Sequence, residues 1–135
     1  MPQVFRVMKK DPDGLPTVSQ TSLGIRSGVD VDLDAQNYVL ANGKGMSVAP
    51  NWRDINIIRI PRRLRPIVPG AGGSNNTFCF RIGTGPFICG IFASGLTLEL
   101  DSATHGNVLP AQVVLLSTYV ADIDATRPDW IEDEI

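Results

Sequence analysis

TFCFRIGTGPFICGIFASGLTLELD (residues 77–101) contains three short apolar segments separated by sequences typical of turns. The segments TFCFRIG, PFICGIF and LTLELD have the length and composition of β-strands. GTGP and ASG, which separate them, contain the glycine and proline that punctuate strands. The region therefore predicts three consecutive strands, and we interpret GTGP (83–86) as a hairpin turn.

The same pattern extends to both sides, because 13 glycines and 10 prolines divide the chain into short pieces. QVFRVM (3–8) alternates as a strand should, and DPDG (11–14) follows it as a turn signal. QNYVLANGKGMSVAP (36–50) predicts a hairpin with YVLA and MSVA as its arms and NGKG as its turn. Near the end, Ser117 is expected to cap a short helix, TYVADIDAT, with one apolar face. The sequence thus predicts one domain (1–135) of the α+β class, strand-rich, mainly antiparallel and with a short C-terminal helix.

Composition narrows the function classes. The net charge of -2 and the pI near 5.2 give no general attraction to nucleic acid or to anionic membranes. The apolar runs are too short to span a membrane, and MPQVFRVMKK lacks the apolar core of a secretory signal, so we expect a soluble cytoplasmic protein. Cys79 and Cys89 are expected to be buried free thiols. With one histidine and no cysteine pair, no metal site is expected.

Several features carry candidate chemistry, and each also has a purely structural interpretation. His105 is the only histidine, and it is either a proton-exchanging group or an incidental surface residue. The arginine run from Arg53 to Arg65 is either a solvated edge, paired with acidic residues at 30–34 or in the tail, or a contact for phosphate or RNA. Only Trp52 is available there for stacking on bases.

Arg6 is unusual because it interrupts a short apolar strand. A charge in such a strand must face solvent, a cleft or a buried partner, since an unpaired buried charge costs several kcal/mol. The segment GKGMSVAP (43–50) raises a related question, because its glycines are either hairpin punctuation or a means for a ligand to approach Ser47. Gly83 and Gly85 lack the third glycine and the following helix of a dinucleotide fingerprint.

Four segments together resemble the ADP-ribosyltransferase-like toxins typified by the second exported toxin of a bacterial type VI secretion system. They cover nearly the whole chain in order: VFRVMKKD (4–11), GKGMSVAP (43–50), ATHGNVLPAQVV (103–114) and STYVADIDATRPDW (117–130). The resemblance implies a split fold in which two antiparallel sheets form a cleft for NAD, which is consumed as a substrate. It also implies a toxin that acts in the cytoplasm, leaves its producer without a signal peptide and is neutralised by an antitoxin or immunity protein.

The resemblance further implies a set of site residues. Carried over position by position, the catalytic set is Arg6, Ser47, and His105 or Gln112. Arg6 would bind the pyrophosphate or ribose, Gly43 and Gly45 would permit close approach of NAD, and Ser47 would contact the nicotinamide ribose.

One departure from the family pattern leaves two alternatives, catalysis with a substitute residue or binding without catalysis. Such transferases commonly use a glutamate to stabilise the ribosyl cation, yet Glu99, Glu132 and Glu134 do not form a Q-x-E or E-x-E motif. Either His105 or Gln112 substitutes for it, or the domain binds without catalysis. The alternative functions are therefore a non-catalytic protein-binding module, such as an immunity or partner protein, and an RNA-binding domain that uses the arginine run.

Overall fold

The structure is a computed structural model that describes residues 1–134, and it confirms a strand-rich α+β fold with two antiparallel sheets and one short C-terminal helix. The strands are β1 (Val4–Lys9), β2 (Met46–Val48), β3 (Thr77–Ile82), β4 (Gly90–Ala93), β5 (Leu96–Leu100), β6 (Gly106–Pro110) and β7 (Ile131–Glu132), and the helix is α1 (Leu116–Asp124). Single-turn 3-10 helices lie at Trp52–Asp54, Ile57–Arg59, Arg62–Leu64 and Arg127–Asp129. Within residues 1–134, no helix is both long and apolar enough to cross a bilayer.

The two sheets meet at one backbone bridge. The first sheet has the strand order β1-β3-β7 and the second β2-β6-β5-β4. Phe5 N donates to Ala49 O at 2.7 Å, and Ala49 N donates to Phe5 O at 3.1 Å. This bridge is isolated, so β1 and β2 separate beyond it instead of forming a continuous ladder. Their free edges therefore face each other across a gap.

The main core joins the inner faces of both sheets to α1. Its largest fully buried side chains are Tyr119, Phe80, Phe92, Met8, Leu23, Met46, Ile82, Leu96, Leu98, Ile123 and Val4. Ile60 is also fully buried, in a second and smaller cluster. Burying each such side chain contributes about 1.5–3 kcal/mol. The smaller cluster also contains Leu64 and Ala71, and it holds the 3-10 turns of the arginine run against the rest of the molecule.

The hydroxyl of Tyr119 ties α1 to two neighbouring strands. It accepts a hydrogen bond from Met46 N at 3.0 Å and donates one to Val108 O. Burial raises the pKa of Tyr119 to about 12, so the hydroxyl keeps its proton at neutral pH. Gly45 fits here because a Cβ at that position would overlap the Val108 carbonyl. The start of β2 is therefore fixed by a side chain of the helix.

Two predicted hairpins are wrong. YVLA (38–41) does not pair with MSVA, because β2 pairs with β6, while Tyr38 and Val39 form isolated bridges to Leu115 and Leu33. GTGP is not a hairpin turn either, since β3 and β4 belong to different sheets. Gly85 N instead donates to Met1 O at 2.8 Å, which makes this segment a crossover packed on the amino terminus.

Several smaller expectations also need correction. Strands β6 and β7 are present in the structure but were not predicted from the sequence pattern. The helix begins at Leu116, and its first residues have no side-chain cap, so Ser117 is not the N-cap. Cys79 is buried and free as expected, but Cys89 is exposed. It lies just before β4, an edge strand of the second sheet.

One of the two predicted pairings of the arginine run, with the acidic C-terminal tail (carboxylates at 132–134), is confirmed for Arg63. Arg63 forms an ion pair with Glu134, and Lys10 and Arg81 pair with the neighbouring tail carboxylates Glu132 and Asp133. Among residues 1–134, the carboxylates at 30–34 form no ion pair with arginines of the run. Asp30 pairs with Arg26, and Asp32 pairs with Lys44 at 3.1 Å.

Replacing Tyr119 with phenylalanine tests the hydroxyl bridge. The Tyr119→Phe change leaves the Met46 N–H and the Val108 carbonyl buried without this partner, so the free energy of unfolding is expected to fall by about 1–3 kcal/mol. Urea unfolding followed by circular dichroism measures it. The matched control is Tyr38→Phe at an exposed position, with an expected change within about 0.5 kcal/mol. Equal stability of both variants would contradict the bridge.

Candidate functional site

A cavity of about 460 Å³ occupies the gap between β1 and β2. Its walls come from residues 5–7 of β1, residues 47–49 at the end of β2, the loop around 20–30 and the segment 54–59. The charged side chains and the histidine in its lining are Arg6, Arg26, Asp30, Asp54, Arg59 and His105. A cavity of this size is within the range of small-molecule sites in proteins.

Unpaired strand edges explain why the cavity is polar. Phe5 N and Lys9 N both point away from β3, toward Ala49 O and Ser22 Oγ respectively. Alternate residues of a strand direct their backbone groups to the same edge, so the Val7 N–H, which lies between them, faces the gap. The cavity thus offers this backbone donor in addition to side chains.

Arg6 crosses the gap and is held on both sides by backbone oxygens. Nη1 donates to Ser47 O at 2.7 Å, and Nη2 donates to Ser22 O at 3.1 Å. Nε is buried and has no hydrogen-bond partner among the described residues. The guanidinium is therefore fixed in orientation and retains an unused donor.

The charge of Arg6 is only partly compensated. Loss of solvent is the largest cause that lowers the pKa of Arg6, to about 10, and nearby Arg59 and Arg26 lower it further while Asp30 raises it. The side chain remains a cation at neutral pH. Because both of its partners are neutral carbonyls, an anion in the cavity would be attracted strongly.

Two further arginines lie on the cavity walls. Arg26 is neutralised locally, since Asp30 Oδ2 accepts from its backbone N at 2.8 Å and from its Nε at 3.1 Å. Arg59 ends a 3-10 helix and forms no ion pair within residues 1–134. Asp54 likewise forms no ion pair there. Three arginines and two aspartates leave the lining with an excess of positive charge.

His105 lies at another part of the lining and is oriented by a carboxylate. Its Nδ1 is 2.8 Å from both Asp101 Oδ1 and Asp101 Oδ2. The two residues flank the loop between β5 and β6, directly beyond the last pair of that ladder, Leu100 and Gly106. Since Nδ1 faces Asp101, the nitrogen that remains for other contacts is Nε2.

The structure places the predicted site residues in two groups. Arg6, Ser47 and His105 line the same cavity, although they are 41 and 58 positions apart along the chain. Gln112, Gly43 and Gly45 do not line it. Gln112 is exposed in the turn after β6.

The two glycines have structural roles in the turn before β2. Gly43 adopts a positive φ of 81°, which favours glycine, and Gly45 packs on Val108 and Tyr119. Neither is positioned to let a ligand approach Ser47 through the cavity.

Sequence reasoning missed Arg26, Asp30, Asp54 and Asp101 as site residues. All four lie in irregular segments or single turns, where periodicity gives no signal. Arg59 belongs to the arginine run, but nothing in its spacing separates it from Arg62 or Arg65. Within residues 1–134, no group of three or more histidine, cysteine, aspartate or glutamate side chains could hold a metal ion.

Comparisons with protein-family models, with curated proteins and with solved structures return no match to this chain. The site is therefore interpreted from its own geometry.

Inorganic pyrophosphate is a direct probe of the arginine wall, the part of the cavity lining formed by Arg6, Arg26 and Arg59. Arg59→Gln is expected to weaken its binding about 10-fold or more, because a charge-assisted hydrogen bond contributes about 1.5–3 kcal/mol. Isothermal titration calorimetry at fixed ionic strength measures it. Arg62→Gln removes the same charge from the same run outside the cavity and is expected to retain most of the affinity. Equal losses in the two variants would show only a general effect of net charge.

Proposed function

We propose that this cavity binds NAD as a substrate and that the protein transfers ADP-ribose from it, or cleaves it, in the manner of the ADP-ribosyltransferase-like toxins. The observation that carries the proposal is the convergence of Arg6, Ser47 and His105 on one cavity. The family resemblance assigns roles to these three residues without reference to their position in space. Their meeting at the split between two sheets supports that assignment.

The arginines suit the pyrophosphate of NAD. Arg6 is held in place before any ligand arrives, so little side-chain entropy is lost on binding. Arg59 adds a second cation to the same lining, and guanidinium groups bind phosphate oxygens in pairs. In this proposal the dinucleotide lies between β1 and the segment 54–59, with its nicotinamide ribose toward Ser47 and His105.

Transfer requires a group that stabilises positive charge as nicotinamide leaves. In the absence of a glutamate motif, Asp54 is the best-placed carboxylate, because the other cavity carboxylate, Asp30, is occupied by Arg26. Gln112 is not a suitable substitute, since it lies outside the cavity. Asp54 would stabilise the ribosyl cation electrostatically, and His105 would handle the proton of the acceptor.

Nicotinamide release from NAD tests the proposal. The purified protein, alone and with cell extract, is expected to release nicotinamide detectable by liquid chromatography, and Arg6→Ala and Ser47→Ala are expected to reduce the rate at least about 10-fold by loss of oriented binding. Arg62→Ala and Ser94→Ala, at exposed positions outside the cavity, are the matched controls. Expression of the wild-type chain should also inhibit growth of a host, and both cavity variants should relieve that inhibition.

Circular dichroism of each variant separates loss of activity from loss of fold. A folded wild-type protein that releases no nicotinamide under either condition would overturn the transferase proposal.

The surface formed by the segment of the arginine run favours a second function, that of a protein-binding module. Ile57, Ile58 and Ile67 are exposed in the same segment as the arginine run. Arg53, Arg59, Arg62 and Arg65 form no ion pair with any residue in 1–134. Apolar side chains interspersed with unpaired cations suit an acidic protein partner, such as an antitoxin or immunity protein, better than RNA.

The one aromatic residue of that segment is already engaged. The Arg53 guanidinium lies 5.1 Å from the centre of the Trp52 ring, so this ring is covered on one side. Base stacking therefore has little support there.

A pair of fluorescence titrations distinguishes the partners. An acidic peptide of alternating glutamate and leucine is expected to bind, and Ile58→Asp should weaken that binding more than Val113→Asp, which changes an exposed residue outside the segment. A labelled oligouridylate is expected to show no saturable binding at 150 mM salt. Tight RNA binding that weakens steeply with salt would instead favour the RNA-binding alternative.

A further inference from the structure

The side chains of His105 and Asp101 contact each other in the loop between β5 and β6. The loop is closed by other hydrogen bonds and does not require this contact. Asp101 N and Ser102 N each donate to His105 O at 3.2 Å, and Thr104 N donates to Ser102 Oγ at 3.2 Å. These bonds close the loop between β5 and β6 without the imidazole or the Asp101 carboxylate. The side-chain pair is therefore an addition to the loop, and it lies where His105 lines the cavity.

The contact with Asp101 determines which imidazole nitrogen is available. Both carboxylate oxygens lie 2.8 Å from Nδ1, so the ionised carboxylate favours a proton on that nitrogen. Asn107 Nδ2 approaches Asp101 Oδ2 at 3.5 Å and adds a weak restraint to the same carboxylate. In the neutral ring, Nε2 is then the nitrogen that accepts a proton.

We propose that Asp101 is a positioning residue that makes His105 the general base of the reaction, with Nε2 as the atom that receives the proton. The proposal rests on the proposed function, and it assigns a role to a residue that neither the resemblance nor the spacing of the sequence indicates. Asp101 holds the ring in one tautomer and stabilises the imidazolium that forms, without taking the proton itself.

The step balances without a further reactant. An acceptor hydroxyl or a water molecule attacks C1′ of the nicotinamide ribose, and its proton passes to Nε2 of His105. The C1′–N bond breaks, and its electron pair remains on the ring nitrogen, so nicotinamide leaves as a neutral molecule. The products are the ADP-ribosylated acceptor, or ADP-ribose, together with nicotinamide and the proton held by His105.

The sole histidine gives a readout that is independent of turnover. In ¹⁵N-resolved NMR of the wild-type protein with a neutral imidazole, the signals of His105 are expected to show a proton on Nδ1. Asp101→Asn is expected to shift the signals toward the other tautomer, because the asparagine amide can donate to Nδ1. Asp101→Glu is expected to restore the wild-type pattern at least in part, whereas Asp129→Asn, at an exposed site elsewhere, should leave it unchanged.

Turnover gives the second readout. Nicotinamide release is expected to fall about 100-fold or more in Asp101→Asn and in His105→Ala, the usual range for loss of general-base catalysis, with no further loss when the two changes are combined. Binding of inorganic pyrophosphate should be retained in both, since the arginine wall is unchanged. Asp101→Glu should recover part of the rate.

The outcomes separate this inference from the function on which it rests. Unchanged His105 signals in folded Asp101→Asn, or a wild-type rate in that variant, would overturn the role of Asp101 while leaving NAD turnover in place. No nicotinamide release from the wild-type protein would overturn the proposed function and the proton-transfer step with it. Loss of pyrophosphate binding in Asp101→Asn would also count against the inference, because it would indicate a general structural defect.

Discussion

The site depends on the point where β1 and β2 stop pairing. A single antiparallel bridge, Phe5 with Ala49, brings the two sheets together. Continuing that ladder would place Val7 opposite Ser47 and would close the gap with backbone hydrogen bonds. Instead the Arg6 guanidinium reaches the Ser47 carbonyl, so a side chain satisfies an oxygen that a strand would otherwise have used. The same contact, from the Arg6 guanidinium to the Ser47 carbonyl, thus accompanies the separation of the sheets and fixes the position of the cation.

That arrangement has an energetic cost with a functional consequence. A carboxylate partner would neutralise Arg6 and leave the cavity with little preference for an anion. Carbonyl oxygens orient the guanidinium but leave its charge in place, and burial lowers its pKa to about 10. The folded chain thus holds a partly buried positive charge that an anionic ligand would stabilise. Such preorganised charge is a common feature of binding and catalytic sites.

Local pattern predicted some elements well and failed where the partner of a strand had to be identified. Alternation located β1, short apolar segments between turn sequences located β3 and β5, and the apolar face of α1 was visible in the sequence. The turn sequences at 42–45 and 83–86 gave no information about which strand comes next in space, and both flank strands that pair elsewhere. Residue chemistry singled out Arg6, Ser47 and His105, which do share a cavity. Arg26, Asp30 and Asp101 were missed because their roles come from contacts between irregular segments, and Gln112 was proposed from a resemblance that could not fix its place.

The hydroxyl of Tyr119 has a consequence for how loss-of-function variants of this chain would be interpreted. It binds the backbone of Met46, the residue next to Ser47, and the carbonyl of Ser47 in turn holds Arg6. Substitutions along α1 that move this hydroxyl would therefore also move the Ser47 carbonyl and the guanidinium, in chains that still fold. These positions would look like ligand contacts in a mutational map, although the helix contributes no side chain to the cavity lining. Measuring binding and unfolding in the same variants would separate such relayed effects from direct ones.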